Sequence, residues 1–152
     1  MSGKSGAEPV TFESIYKERV WGGRALETNF DRQLPAAKTP FGEAWEVVDR
    51  PDDRGRVATG VHAGRTFHEL WVEQREELFG AGLEHAGPDF PLLLKILDAR
   101  RHLSVQVHPP ASAVAELGGE AKTEMWYVLA ADPGAKLFVG VKEGVNREAF
   151  ER

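Results

Sequence analysis

Leu103-Ser104-Val105-Gln106-Val107-His108-Pro109-Pro110 alternates apolar and polar side chains without a break up to the prolines. Successive side chains of a strand point to opposite faces. One face of this segment therefore carries Leu103, Val105 and Val107, and the other carries Ser104, Gln106 and His108. The pattern predicts a strand with an apolar face on a core, ending at His108 because two prolines cannot continue a ladder. A solvated face of an antiparallel sheet would account for the polar set. So would a binding site, since an imidazole and an amide two residues apart reach the same side.

The rest of the chain is punctuated in the same way. Sixteen glycines and nine prolines separate short apolar runs over 152 residues, which favours many short strands in one domain over a helical bundle. Further strands are predicted at Ala44–Asp49, Arg56–Val61, Leu92–Asp98, Glu124–Ala130 and Lys136–Val141. The last two flank the turn Asp132-Pro133-Gly134 and read as a hairpin.

Helices are better marked. Thr66 and Glu69 form a capping box before Phe67, Leu70, Trp71 and Leu78, and Gly80 stops the run. A second helix follows Pro109-Pro110 over Ala111–Leu117 and ends at Gly118-Gly119. A third starts at the cap Asn146 and covers 147–152. Residues 1–14 are expected to be flexible. Trp21, Trp45, Trp71 and Trp126 are expected in the core, with Trp21 and Trp126 alternatively lining a pocket.

Composition narrows the function classes. Nineteen Lys and Arg against 24 Asp and Glu give a net charge of -5, which argues against a nucleic-acid or anionic-membrane partner. The absence of cysteine excludes disulfides, thiolate metal sites and a cysteine nucleophile. Neither a signal-like stretch nor a run of about 20 apolar residues is visible, so a cytoplasmic location is expected.

Two positions stand out. Glu124, after Lys122-Thr123, shares parity with Trp126 and Val128 at the mouth of the next predicted strand. With Gln106 and His108 it offers carboxylate oxygen, amide oxygen and imidazole nitrogen, a set suited to zinc or another divalent metal. Such a site would carry a net +1 charge with Zn2+ and favour an anionic substrate. Lys95 sits inside the apolar run Leu92–Leu97. It is either an edge-strand guard against aggregation or a functional lysine.

Together the runs Arg19–Leu26, Gly42–Glu46, Phe90–Leu97, Leu103–Pro109 and Lys122–Tyr127 resemble the type I mannose-6-phosphate isomerase family, in order and over about residues 15–150. The resemblance implies an incomplete cupin, or jelly roll, of antiparallel strands with two or three short helices. It implies a zinc-dependent aldose–ketose isomerase acting on mannose 6-phosphate and fructose 6-phosphate. The metal ligands implied are Gln106, His108 and Glu124; the catalytic lysines are Lys122 and Lys95; Ser104, Trp21 and Glu43 line the substrate pocket.

The family's fourth zinc ligand and its catalytic arginine belong to later runs not found in this chain. His62, His68, His85 and His102 read as surface residues rather than replacements, His68 on the exposed side of its helix. Residues 15–152 are therefore expected to form an N-terminal part of the domain, with an uncovered apolar face and little activity alone. A complementing C-terminal fragment or a second copy of the chain would be its partner. The alternatives are a non-catalytic sugar-phosphate-binding module and an oligomer with a vestigial site.

Overall fold

The computed structural model describes residues 9–151. They form two compact units, the first ending at Val105 and the second beginning at Gln106. In chain order the first contains β1 (Ile15–Gly23), α1 (Ala25–Phe30), β2 (Phe41–Val47), β3 (Asp49–Arg50), β4 (Asp53–Arg54), α2 (Phe67–Glu73), α3 (Arg75–Phe79) and β5 (Leu94–Leu97). No helix among the described residues is long and apolar enough to cross a membrane.

A three-stranded antiparallel sheet in the order β1-β2-β5 carries the unit, and β3 and β4 form a small hairpin. β2 and β5 fall close to the predicted strands. Ala44 of β2 lies opposite Tyr16 and Ile96, and these pack with Leu26 and Phe41 as one core. β1 escaped the sequence reading because its charged residues Lys17, Glu18 and Arg19 hide the apolar pattern. Between Glu18 and Gly23, which both lie opposite Phe41, the strand bulges. The bulge rests directly on β2: a Cβ on Gly42 would come within 2.6 Å of the Trp21 ring and of the Arg19 Cβ. α1 was also unmarked in the sequence. Its first turn is held by Asp98, whose Oδ2 accepts the Ala25 N–H at 2.6 Å.

α2 opens on the predicted capping box. Thr66 Oγ1 accepts from the Glu69 N–H, and the Glu69 carboxylate accepts from the Thr66 N–H. The helical run breaks at Gln74, resumes as α3 and stops at Gly80, whose φ of +92° suits glycine. Around α2 lies an aromatic cluster of Phe12, Phe67, Trp71, Phe79 and Phe90, with ring centroids 4.7–5.8 Å apart.

The predicted strand Arg56–Val61 is reduced to isolated bridges, Phe12 with Val57 and Arg56 with Thr66. Beyond Val57 the chain turns at Gly60, which has positive φ, and Val61 is exposed. Of the segment expected to be flexible, residues 1–8 lie outside the described residues. Glu13 N–H and Thr11 C=O hydrogen-bond with the backbone of Arg56 and Ala58.

The second unit holds a 3-10 turn at Ala111–Ala113, α4 (Val114–Leu117) ending at left-handed Gly118, and α5 (Arg147–Phe150). Asn146 caps α5 as predicted, its Oδ1 accepting from the Ala149 N–H; Arg152, the predicted end of this helix, lies outside the described residues. The strands predicted at Leu103–His108, Glu124–Ala130 and Lys136–Val141 do not form ladders. The turn between the last two does form, with Ala135 N–H donating to the Asp132 carbonyl. Two strands without a third and without a covered face are marginal in water. Val105, Val107, Met125, Tyr127 and Val139 are correspondingly exposed, and Trp126, expected in the core, is half exposed.

Candidate active site

β2 brings Glu43 and Trp45 to one face of the sheet. Lys17 of β1 lies opposite Glu43, and Lys95 of β5 lies opposite Trp45. Residues directly opposite across an antiparallel pair point to the same side. The Glu43 carboxylate is buried and its two oxygens are divided. Oε2 accepts the Trp45 indole N–H at 2.7 Å and an Arg19 N–H at 3.2 Å. Oε1 faces the Lys95 ammonium at 3.5 Å. Lys95 is thus half-buried beside an acidic partner in the sheet, and Trp21 of the bulge covers Gly42 next to Glu43.

Burial acts to raise the Glu43 pKa and is the largest single influence. The Trp45 hydrogen bond, the Lys95 and Arg19 charges and the Arg19 hydrogen bond together outweigh it, and the net effect holds the group below the usual glutamate range. Its ionisation therefore stabilises the fold above the unfolded-state value of about 4.3. That contribution fades as pH falls through the lower folded-state value. Urea midpoints measured from pH 5.5 downward should drop less steeply in Glu43→Gln than in the parent. Equal slopes would show that Glu43 ionises alike in both states.

Of the other predicted site residues, Ser104 is exposed near the end of the first unit. Gln106, His108, Lys122 and Glu124 belong to the second unit and are exposed. Within it Lys122 Nζ meets Glu124 Oε1 at 2.7 Å. The side-chain types fit a divalent metal: one imidazole, one amide oxygen and one carboxylate. The structure brings together Lys95 with Glu43, and Lys122 with Glu124, but pairs none of the segments that carry Gln106, His108 and Glu124 into a sheet.

A cluster that the sequence reading missed lies under α2. Asp49 is fully buried, and its Oδ1 accepts from Arg54 at 2.6 Å. Its Oδ2 accepts the Phe90 N–H at 2.9 Å and lies 3.1 Å from His68 Nδ1. Arg54 and His68 also reach Asp89, at 3.3 and 3.4 Å. His68 is therefore turned inward by Asp49, not outward as the helical spacing implied. Asp49, His68 and Asp89 could ligate a metal by residue type. The Arg54 guanidinium already sits on both carboxylates and supplies the positive charge that a cation would. The signal available in the sequence was an aspartate directly after the apolar Val47-Val48.

Comparison with known proteins matches residues 10–133 to the catalytic domain of type I phosphomannose isomerase. The chain is 42% identical over 135 residues to the mannose-6-phosphate isomerase of Streptococcus mutans. It is 40% identical over 135 residues to ManA, a mannose-6-phosphate isomerase of Bacillus subtilis. Each alignment covers 88% of this chain and 41% of the relative, so the chain spans about two fifths of the length of these proteins. A solved mannose 6-phosphate isomerase from Bacillus subtilis superposes with a TM-score of 0.63 at 38% identity, covering 74% of this chain and 34% of that one. A mutant phosphomannose isomerase from Salmonella typhimurium is similar in fold, with a TM-score of 0.61 at 20% identity over 74% of this chain and 29% of its own.

Proposed function

The chain belongs to the family of type I phosphomannose isomerase catalytic domains, and we propose that it is the N-terminal portion of an enzyme interconverting mannose 6-phosphate and fructose 6-phosphate. The observation that carries this reading is the match over residues 10–133, which spans every predicted site residue. The complete domain is a cupin in which the segments 103–108, 124–130 and 136–141 become strands. A cytoplasmic setting follows from the substrate, a phosphorylated intracellular sugar.

Gln106, His108 and Glu124 would hold a divalent ion; their donor set suits zinc or another divalent metal, and the family resemblance favours zinc. When bound, such an ion supplies charge stabilisation for developing negative oxygen. Lys95 offers a fixed point charge for an anionic substrate, steadied by Glu43. Ser104 and Trp21 are the further substrate contacts that the family resemblance implies. The isomerisation moves a proton from C2 of the aldose to C1 and a second from the C2 hydroxyl to the C1 oxygen, through an enediol, leaving the carbonyl at C2. Lys122 is the group proposed to move the first. An amine accepts a proton only when neutral, so the ion pair of Lys122 with Glu124 must open during turnover.

The test joins this chain to the C-terminal remainder of the Bacillus subtilis enzyme and follows conversion of mannose 6-phosphate with and without zinc. The fusion is expected to turn over and the chain alone to be nearly inert. His108→Ala in the fusion should lower kcat/KM by more than about 100-fold and reduce bound zinc. A folded fusion with no activity would overturn the enzyme reading. Turnover by the isolated chain would overturn its dependence on a partner segment.

A further inference from the structure

The face of β2 carries a second feature that the reaction above does not use. Trp45 stands between two charges. Its indole N–H donates to Glu43 Oε2 at 2.7 Å, and the Lys17 ammonium lies 4.5 Å from its ring centroid. Lys17 is in turn ion-paired to Asp53 of β4. A cation over an aromatic face is attracted by the ring quadrupole. The ring is therefore held from one side by β1 and β4, while its N–H fixes one oxygen of Glu43. The other oxygen is left aimed at Lys95. Arg19 also reaches Oε2, but at 3.2 Å its contact is longer than the indole's.

We propose that Trp45 is a positioning residue: its indole N–H sets the rotation of the Glu43 carboxylate and thereby holds the Lys95 ammonium in place. This rests on Lys95 facing the substrate, as proposed above, but the contact chain itself lies wholly within the first unit. Without the N–H, the carboxylate keeps only Arg19 on Oε2 and can rotate. Oε1 then no longer faces Lys95 continuously. The charged groups facing Glu43 are Arg19 from β1 and Lys95 from β5, with Lys17 opposite it in register, and all remain in the altered protein.

Two variants separate the N–H from the ring. Trp45→Phe removes the donor and shrinks the ring. Replacing Trp45 with benzothienylalanine keeps the ring shape and its face for Lys17 and removes only the N–H. The readouts are the Glu43 carboxyl titration, followed by carbon-13 NMR, and the rate at which Lys95 is acylated by acetic anhydride at fixed pH. In both variants the Glu43 midpoint should rise by at least half a unit, since a hydrogen bond to the charged form is lost. Lys95 should be acylated at least 2-fold faster. An unchanged titration and rate in the benzothienylalanine protein would overturn the proposal, whatever Trp45→Phe does. Neither readout needs turnover, so an inactive fusion would count against the isomerase reading and leave this result standing.

Discussion

Asp49→Ala is expected to destabilise the first unit by about 3 kcal/mol, the low end for breaking a buried ion pair by removing one partner. The carboxylate is fully buried and serves three donors on three segments: Arg54 of β4, His68 of α2 and the Phe90 backbone N–H. Removing it strands a backbone donor and a guanidinium that is only partly exposed. Partial exposure of Arg54 and its second contact with Asp89 keep the cost from being larger. Urea unfolding followed by tryptophan fluorescence measures it. A loss under about 1 kcal/mol would mean that the cluster behaves as a solvated surface network. The same samples separate the ion-pair reading from a metal site. Added zinc should leave the stability of this unit unchanged, whereas ligation by Asp49, His68 and Asp89 would raise it with concentration.

Trp71→Ala is expected to cost about 4 kcal/mol, within the range for truncating a buried aromatic. Trp71 is 1% exposed and meets Phe79 and Phe90 edge-on, each with ring centroids 5.2 Å away. Its indole N–H donates to the Gly87 carbonyl, and the Arg75 guanidinium lies 4.2 Å from its ring centroid. Arg75 also donates to the carbonyls of Leu83, Ala86 and Gly87, so the ring and the arginine together pin the loop before β5. Trp71→Phe keeps most of the ring and should cost about 1 kcal/mol, the worth of an ordinary hydrogen bond. Phe90 is shared with Asp49, through its backbone N–H, and with Trp71, through its ring. The double variant of Asp49 and Trp71 should therefore lose less than the sum of the two. Strict additivity would show that the loop carrying Phe90 does not couple them.

The two clusters were legible to different degrees. Phe67, Leu70 and Trp71 announced a helix through their spacing, and they are buried as that spacing requires. Glu43 and Lys95 were singled out by resemblance and by an anomalous charge in an apolar run, and the sheet does place them together. Their connection through Trp45 was not legible. It depends on which residues of β2 and β5 face each other, and register is set by pairing rather than by either strand alone. The same holds for Asp49, whose partners lie 5, 19 and 41 positions away.

The local devices were legible from neighbouring residues alone: the capping box at Thr66, the stop at Gly80, the cap at Asn146 and the turn at Asp132–Ala135. Each is completed by groups within a few residues, so no distant partner is required. Which of the predicted strands exist depended on long-range pairing. Ala44 and Ile96 found partners within the first unit and became sheet, while Val105, Val107, Tyr127 and Val139 did not and stayed exposed. A strand's backbone groups are satisfied by its neighbours, never by itself, so the pattern of one segment cannot say whether its ladder forms.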